Sequence, residues 1–228
     1  MKILFIGNSY TYYNDMPKIF ESLARDNGKS VAVFSVTKGG RKLVAYENNE
    51  DPITVELDSQ IKANHFDFCF IQEQSILPAT DPDTFLKGVE IVVQKLKGHA
   101  EKLVMYQTWG RKEGSETLEK HRWSTKAMTE LLAESYQMVA NRYNALISPV
   151  GYSFLKITEQ NPEINLHNPD LSHPSYEGSC LSALTHYCTV FGEIPSDTGA
   201  LSLSTDVINA FLETVRESCM IKKRLTEK

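Results

Sequence analysis

Lys2-Ile3-Leu4-Phe5-Ile6-Gly7-Asn8-Ser9-Tyr10-Thr11 runs an apolar stretch straight into a Gly-Asn-Ser turn. Lys2 to Ile6 reads as a strand, and the turn leaves Ser9 at its carboxyl edge. In an open parallel sheet that edge is where ligands bind and chemistry is done. A serine there becomes a nucleophile only when a general base reaches it. The segment Asp170-Leu171-Ser172-His173, near the other end of the chain, offers a histidine with a carboxylate beside it.

Outward from the first strand, Met16, Ile19, Phe20 and Leu23 recur at helical spacing between an Asp15 cap and a Gly28 stop. Val31 to Val36 predicts a second strand, with Gly39-Gly40 after it and a helix over about 52–63. Phe66 to Ile71 predicts a third strand, followed by a helix over 85–96. Leu103 to Tyr106 predicts a fourth, followed by one long helix over about 118–143, and Ala145 to Ile147 a short fifth. A stretch rich in Asn, Pro and His (161–173) then leads into a helix opened by Pro174, and a last helix spans about 206–224. Near-continuous apolar strands joined by helical crossovers imply a parallel sheet covered on both faces, a three-layer α/β/α domain.

The chain has 228 residues, 41% of them hydrophobic, with no linker, repeat or charge block, which predicts a single domain over 1–228. A net charge of -5 argues against a nucleic-acid partner, which asks for a basic patch. The Lys222-Lys223-Arg224 run reads as a solvated face at the end of the last helix. No stretch approaches the ~20 apolar residues of a membrane span, and the apolar start is too short for a signal peptide. Cys69, Cys180, Cys188 and Cys219 show no C-x-x-C spacing; they read as reduced, mostly buried thiols, and the expected location is cytoplasmic.

A histidine near its reference pKa serves as a base when an acceptor holds its other ring nitrogen. Asp170 lies three residues before His173, and one tight turn brings such positions within reach of each other. Gly7-Asn8-Ser9-Tyr10-Thr11 after the first strand, with Asp170-x-x-His173 opening a late helix, resembles the first and last blocks of the SGNH (GDSL-type) hydrolase superfamily. Its members are esterases, lipases, thioesterases and carbohydrate deacetylases. The resemblance implies a flavodoxin-like five-stranded parallel sheet of order 2-1-3-4-5, no metal and no cofactor. It also implies Ser9 as nucleophile, His173 as general base and then acid, and Asp170 as the carboxylate that orients it. The oxyanion hole would use the N–H groups of Ser9 and Gly40, with Gly39 the next choice.

The third block departs from the family pattern. Where Gly-x-Asn-Asp is usual, this chain reads Ile71-Gln72-Glu73-Gln74-Ser75. A glutamine offers the same amide donors on a longer stem, so Gln72 takes the oxyanion role, with Gln74 as the alternative. Glu73 reads as a salt-bridge partner. Tyr10, Trp109 and Arg111 at the same sheet edge suggest binding of a sugar ring or of an acyl group with a carboxylate nearby. The substrate expected is a small ester or an O-acetylated carbohydrate. Competing readings are bland ones, Ser9 as a helix cap and Asp170-His173 as a turn with an N-cap, though Asn14 or Asp15 suits the cap better. Two others are functional: a metal-dependent hydrolase using His167, Asp170 and His173, and a non-catalytic carbohydrate-binding protein.

Overall fold

β1 (Lys2–Gly7) lies between β2 (Ala32–Thr37) and β3 (Phe66–Ile71), and β4 (Ala100–Tyr106) and β5 (Leu146–Ser148) continue the sheet beyond β3. All four pairings are parallel and the order is β2-β1-β3-β4-β5, as the resemblance implied, in a computed structural model that describes residues 1–226.

Alternation along the strands builds two cores. Ile3, Phe5, Phe68, Phe70, Val104 and Tyr106 face one way, onto α2 (Met16–Asp26), α8 (Val150–Gln160), α9 (Tyr176–Phe191) and α10 (Thr205–Thr226). Leu4, Ile6, Cys69, Ile71, Met105 and Ile147 face the other, onto α3 (Pro52–Ala63), α5 (Pro82–Leu96) and α7 (Thr125–Tyr143). Strands with both faces buried need an apolar residue at nearly every position, which is why these segments read as continuous apolar runs. Cys69, Cys180 and Cys188 are buried; burial pushes the Cys180 thiol up to about 12 and the Cys69 thiol higher still. The side chains of Cys219 and of Lys222 to Arg224 lie outside the described ones. Among the described residues no helix is long and apolar enough to cross a membrane.

Three sequence expectations are corrected. The single helix over 118–143 is two, α6 (Glu116–His121) and α7, because Arg122 turns left-handed (φ 55°) and Ser124 restarts the helix by accepting the Ala127 N–H. α8 follows β5 within 150–160, where no helix was expected. Its apolar spacing, Val150, Phe154 and Ile157, is hidden behind Pro149 and Gly151. Gly151 is obligatory: a Cβ there would collide with the Thr108 carbonyl and the Gln107 amide. Finally, Pro174 does not open α9. It pairs with His167 in an isolated bridge, and Ser175 caps the helix through the Gly178 N–H.

The topology fixes where a site can form. From β1 the chain crosses to β2 on one side and then returns to β3 on the other, so the loops after β1 and β3 diverge and leave a crevice at the carboxyl edge.

Candidate active site

Ser9 is the first residue of the short helix α1 (Ser9–Tyr12), whose N-cap is Asn8. The Asn8 side chain accepts the Tyr10 N–H at 3.2 Å, so Asn8 and not Ser9 caps α1, while the cap expected of Asn14 or Asp15 is not made: Asp15 stands at the N-cap of α2 without a capping bond. Gly7 lets this turn close on the third loop, since a Cβ at Gly7 would collide with Thr11 Oγ1 and the Gln72 amide oxygen.

From the other end of the chain, 164 residues away, His173 Nε2 comes to 2.8 Å from Ser9 Oγ. Its Nδ1 lies 2.5 Å from Asp170 Oδ2, and Asp170 Oδ1 accepts the Ser172 and His173 N–H groups. Burial pushes the Asp170 carboxyl up, but the bonds from the His173 ring and from the two backbone N–H groups outweigh it and hold the group below its ordinary range. The carboxylate therefore stays ionised and keeps a proton on Nδ1, which leaves Nε2 as the acceptor for the serine hydroxyl. The ring of Tyr13 stacks on His173 at 4.3 Å, and Tyr10 meets it edge-on at 5.6 Å. Asn14, left-handed at φ 53°, sends its amide N–H₂ to the Pro174 and Ser175 carbonyls and to Ser179 Oγ, so the loop carrying Ser9 is clamped to the loop carrying His173. Nothing in the local pattern around Asn14 signals that contact.

An open cleft of about 350 Å³ lies over Ser9 and His173, with Gly40, Gln74, Ser75 and Arg111 among its walls. Gly40 takes a left-handed backbone (φ 66°) that a glycine adopts without strain.

Gln72 is not in that wall. It is fully buried; its Oε1 accepts the Asn8 N–H and the Thr11 hydroxyl, both at 2.9 Å, and its Nε2 donates to the Glu73 carbonyl. The Oε1 end ties the β3 loop to the β1 loop, and the Nε2 end is spent within its own loop. Gln74 is the glutamine that lines the cleft: its Oε1 accepts the Ile76 and Leu77 N–H groups, and its Nε2 donates to Ser75 Oγ at 3.5 Å. Trp109 is likewise withdrawn. It is buried between Tyr10 (4.4 Å) and Phe154 (4.1 Å), and its ring N–H donates to the Ser172 carbonyl, so it braces the His173 loop from beneath. The Tyr10 ring borders the cleft while its hydroxyl bonds Ser172 Oγ at 2.9 Å.

Glu73 makes no ion pair among the described residues. Its buried carboxyl accepts the Leu43 N–H from the β2 loop and the Gln74 N–H from its own loop, and burial raises its pKa to about 7 against those bonds. His167 leaves the metal reading without its third ligand. It is buried and faces the Gly110 carbonyl, with its pKa lowered to about 4 by burial, and among the described residues no group of His, Cys, Asp and Glu is placed to hold a metal. His186 is a core residue bonded to Ser148 Oγ.

A parallel sheet carrying a serine after β1 and a histidine-carboxylate pair before the last helices defines a hydrolase of the three-layer α/β/α class. A candidate SGNH hydrolase from Slackia heliotrinireducens is 29% identical, with a TM-score of 0.73 over 83% of this chain and 98% of that one. In fold and in the order of these motifs the chain resembles the SGNH hydrolase superfamily. A DUF4886 family protein from Bacteroides uniformis superposes with a TM-score of 0.83 at 16% identity, covering 96% of this chain and 95% of that one. Axe2, an acetylxylan esterase from Geobacillus stearothermophilus, does so at 0.63 and 14% identity, covering 86% and 97%. No family model matches the sequence, and no curated protein does.

Proposed function

We propose that the protein hydrolyses carboxylic esters by a Ser-His-Asp mechanism. The observation that carries this is the continuous path from Ser9 Oγ through the His173 ring to Asp170 at the floor of an open cleft. Ser9 Oγ attacks the acyl carbon as its proton passes to His173 Nε2, and the imidazolium is steadied by Asp170. The carbonyl oxygen becomes an oxyanion, for which the Ser9 and Gly40 N–H groups and Gln74 Nε2 are the donors; Ser9, at the start of a helix, has no intrahelical partner for its N–H. Collapse breaks the bond to the leaving alkoxide, which takes the proton from His173. Water then attacks the acyl-serine as His173 takes its proton, and collapse of the second tetrahedral intermediate releases the acid as that proton passes from His173 to Ser9 Oγ.

The substrate proposed is a small acyl ester or an O-acetylated carbohydrate. The modest cleft supports this, as does the acetylxylan esterase among the structural neighbours. No further cofactor enters these steps. Buried thiols suit a reducing compartment, and the proposed location is the cytoplasm. Ser9→Ala tests the reading: hydrolysis of a para-nitrophenyl short-chain ester should fall to background with the thermal unfolding transition retained. Activity equal to that of the parent protein overturns it.

A further inference from the structure

The cleft holds a cation with no anion to match it. Arg111 follows β4, and its backbone is pinned on both sides: its N–H donates to Met128 Sδ and its carbonyl accepts the Thr125 hydroxyl. Its guanidinium reaches the cleft wall, where Nη2 donates to Ser75 Oγ at 2.9 Å and the planar group lies 5.8 Å from the Tyr10 ring centroid. No carboxylate pairs with it among the described residues. The carboxylate that shares the cleft, Asp170, has both oxygens committed to His173 and Ser172.

Arg41, after β2, shows how this fold treats an arginine that serves structure alone. Its Nη2 is 2.8 Å from Asp51 Oδ1, it donates to Thr54 Oγ1, and it covers the Tyr46 ring. Its charge is neutralised within the protein. Arg111 has the same surroundings of aromatic ring and hydroxyl and lacks the carboxylate. Its Nη2 serves one hydroxyl and its buried Nε has no hydrogen-bond partner, so the guanidinium keeps donors unused, and the group that matches them is a carboxylate.

We propose that Arg111 is a specificity residue and that the natural substrate is an acidic ester, one whose acyl or alcohol part carries a carboxylate. This rests on the esterase reading above and narrows its substrate class. The bound carboxylate takes the place that Asp51 takes for Arg41, and it orients the ester carbonyl over Ser9.

Two matched pairs of esters test it at neutral pH and low salt. Para-acetoxybenzoate against para-acetoxybenzamide places the charge on the alcohol side; the para-nitrophenyl monoester of glutaric acid against para-nitrophenyl valerate places it on the acyl side. One pair should show a kcat/KM preference of about 10- to 100-fold for the anion, the range of a charge-assisted hydrogen bond. Arg111→Met should bring that ratio to about one, Arg111→Lys should keep part of it, and added salt should shrink it. Circular dichroism confirms that the variants are folded. A parent enzyme that reacts with a fluorophosphonate at Ser9 but shows no anion preference in either pair, or an Arg111→Met variant that retains it, overturns the proposal alone. Failure of the parent to label or to cleave any of the four esters overturns the esterase reading and this proposal with it.

Discussion

The two halves of the cleft are built differently. On the Ser9 and His173 side, the paired groups come from short contiguous motifs, and each is fixed by neighbours in its own segment: Asn8 caps the short helix that Ser9 begins by accepting the Tyr10 N–H, and Asp170 holds the ring of His173. On the side proposed to hold the oxyanion, Gly40 and Gln74 come from two loops that long-range bonds place, through Gln72 to Asn8 and Thr11 and through Glu73 to Leu43. The first half states its chemistry in its residue types. In the second, two glutamines within three residues take opposite places, Gln72 buried and Gln74 on the cleft, and only the path of the backbone distinguishes them.

The strongest test of that contrast is on the first half. His173→Ala should lower kcat/KM by about 10⁴-fold or more while leaving the fold intact, since a triad acts as a unit; steady-state kinetics on a neutral short-chain ester reads it. On the second half, Gln74→Met should lower kcat by about 10²- to 10³-fold with KM little changed, the signature of a donor used only in the transition state. Gln72→Leu should do the reverse. It strands the Asn8 N–H and the Thr11 hydroxyl, so urea unfolding should show a loss of about 2–4 kcal/mol. If Gln72→Leu instead damages kcat at unchanged stability, the roles of the two glutamines are exchanged.

Glu73 adds a pH dependence to the same half. Burial raises its folded pKa to about 7 from an ordinary 4.5. The folded state then holds the proton more tightly than the unfolded one, so stability is greatest below about pH 4.5 and declines as pH rises through about 7. Glu73→Gln removes that slope. Measured at both ends of the window, the stability difference between variant and parent should move in favour of the variant by about 1–3 kcal/mol as pH rises. A difference that is flat with pH contradicts the assignment. The smallest effect belongs to the join between nucleophile and base loops: Asn14→Ala should cost about 1–2 kcal/mol and slow kcat several-fold by loosening the clamp on Pro174, Ser175 and Ser179.

These residues also mark what can be read from a sequence. β1 with its Gly-Asn-Ser turn, and Asp170-x-x-His173, are legible because apolar continuity and a three-residue spacing express local geometry. Gln72 and Gln74 are not legible. β3 ends at Ile71, and once the strand's alternation stops, residue parity no longer says which side chain faces the cleft. Trp109 misleads for a related reason. A large aromatic at a strand end suits a ligand or a neighbouring ring equally, and its sandwich between Tyr10 and Phe154 depends on α8, a helix masked by Pro149 and Gly151. Asn14 gives no sign at all, because its partners lie 160 to 165 residues away.

The central claim, that Ser9 is a nucleophile activated by His173, is tested most directly by reacting the protein with a fluorophosphonate and mapping the adduct by mass spectrometry. The expected result is a single adduct on Ser9, abolished in Ser9→Ala and strongly slowed in His173→Ala. No adduct on the folded parent protein, or one that persists at the same rate in Ser9→Ala, contradicts it.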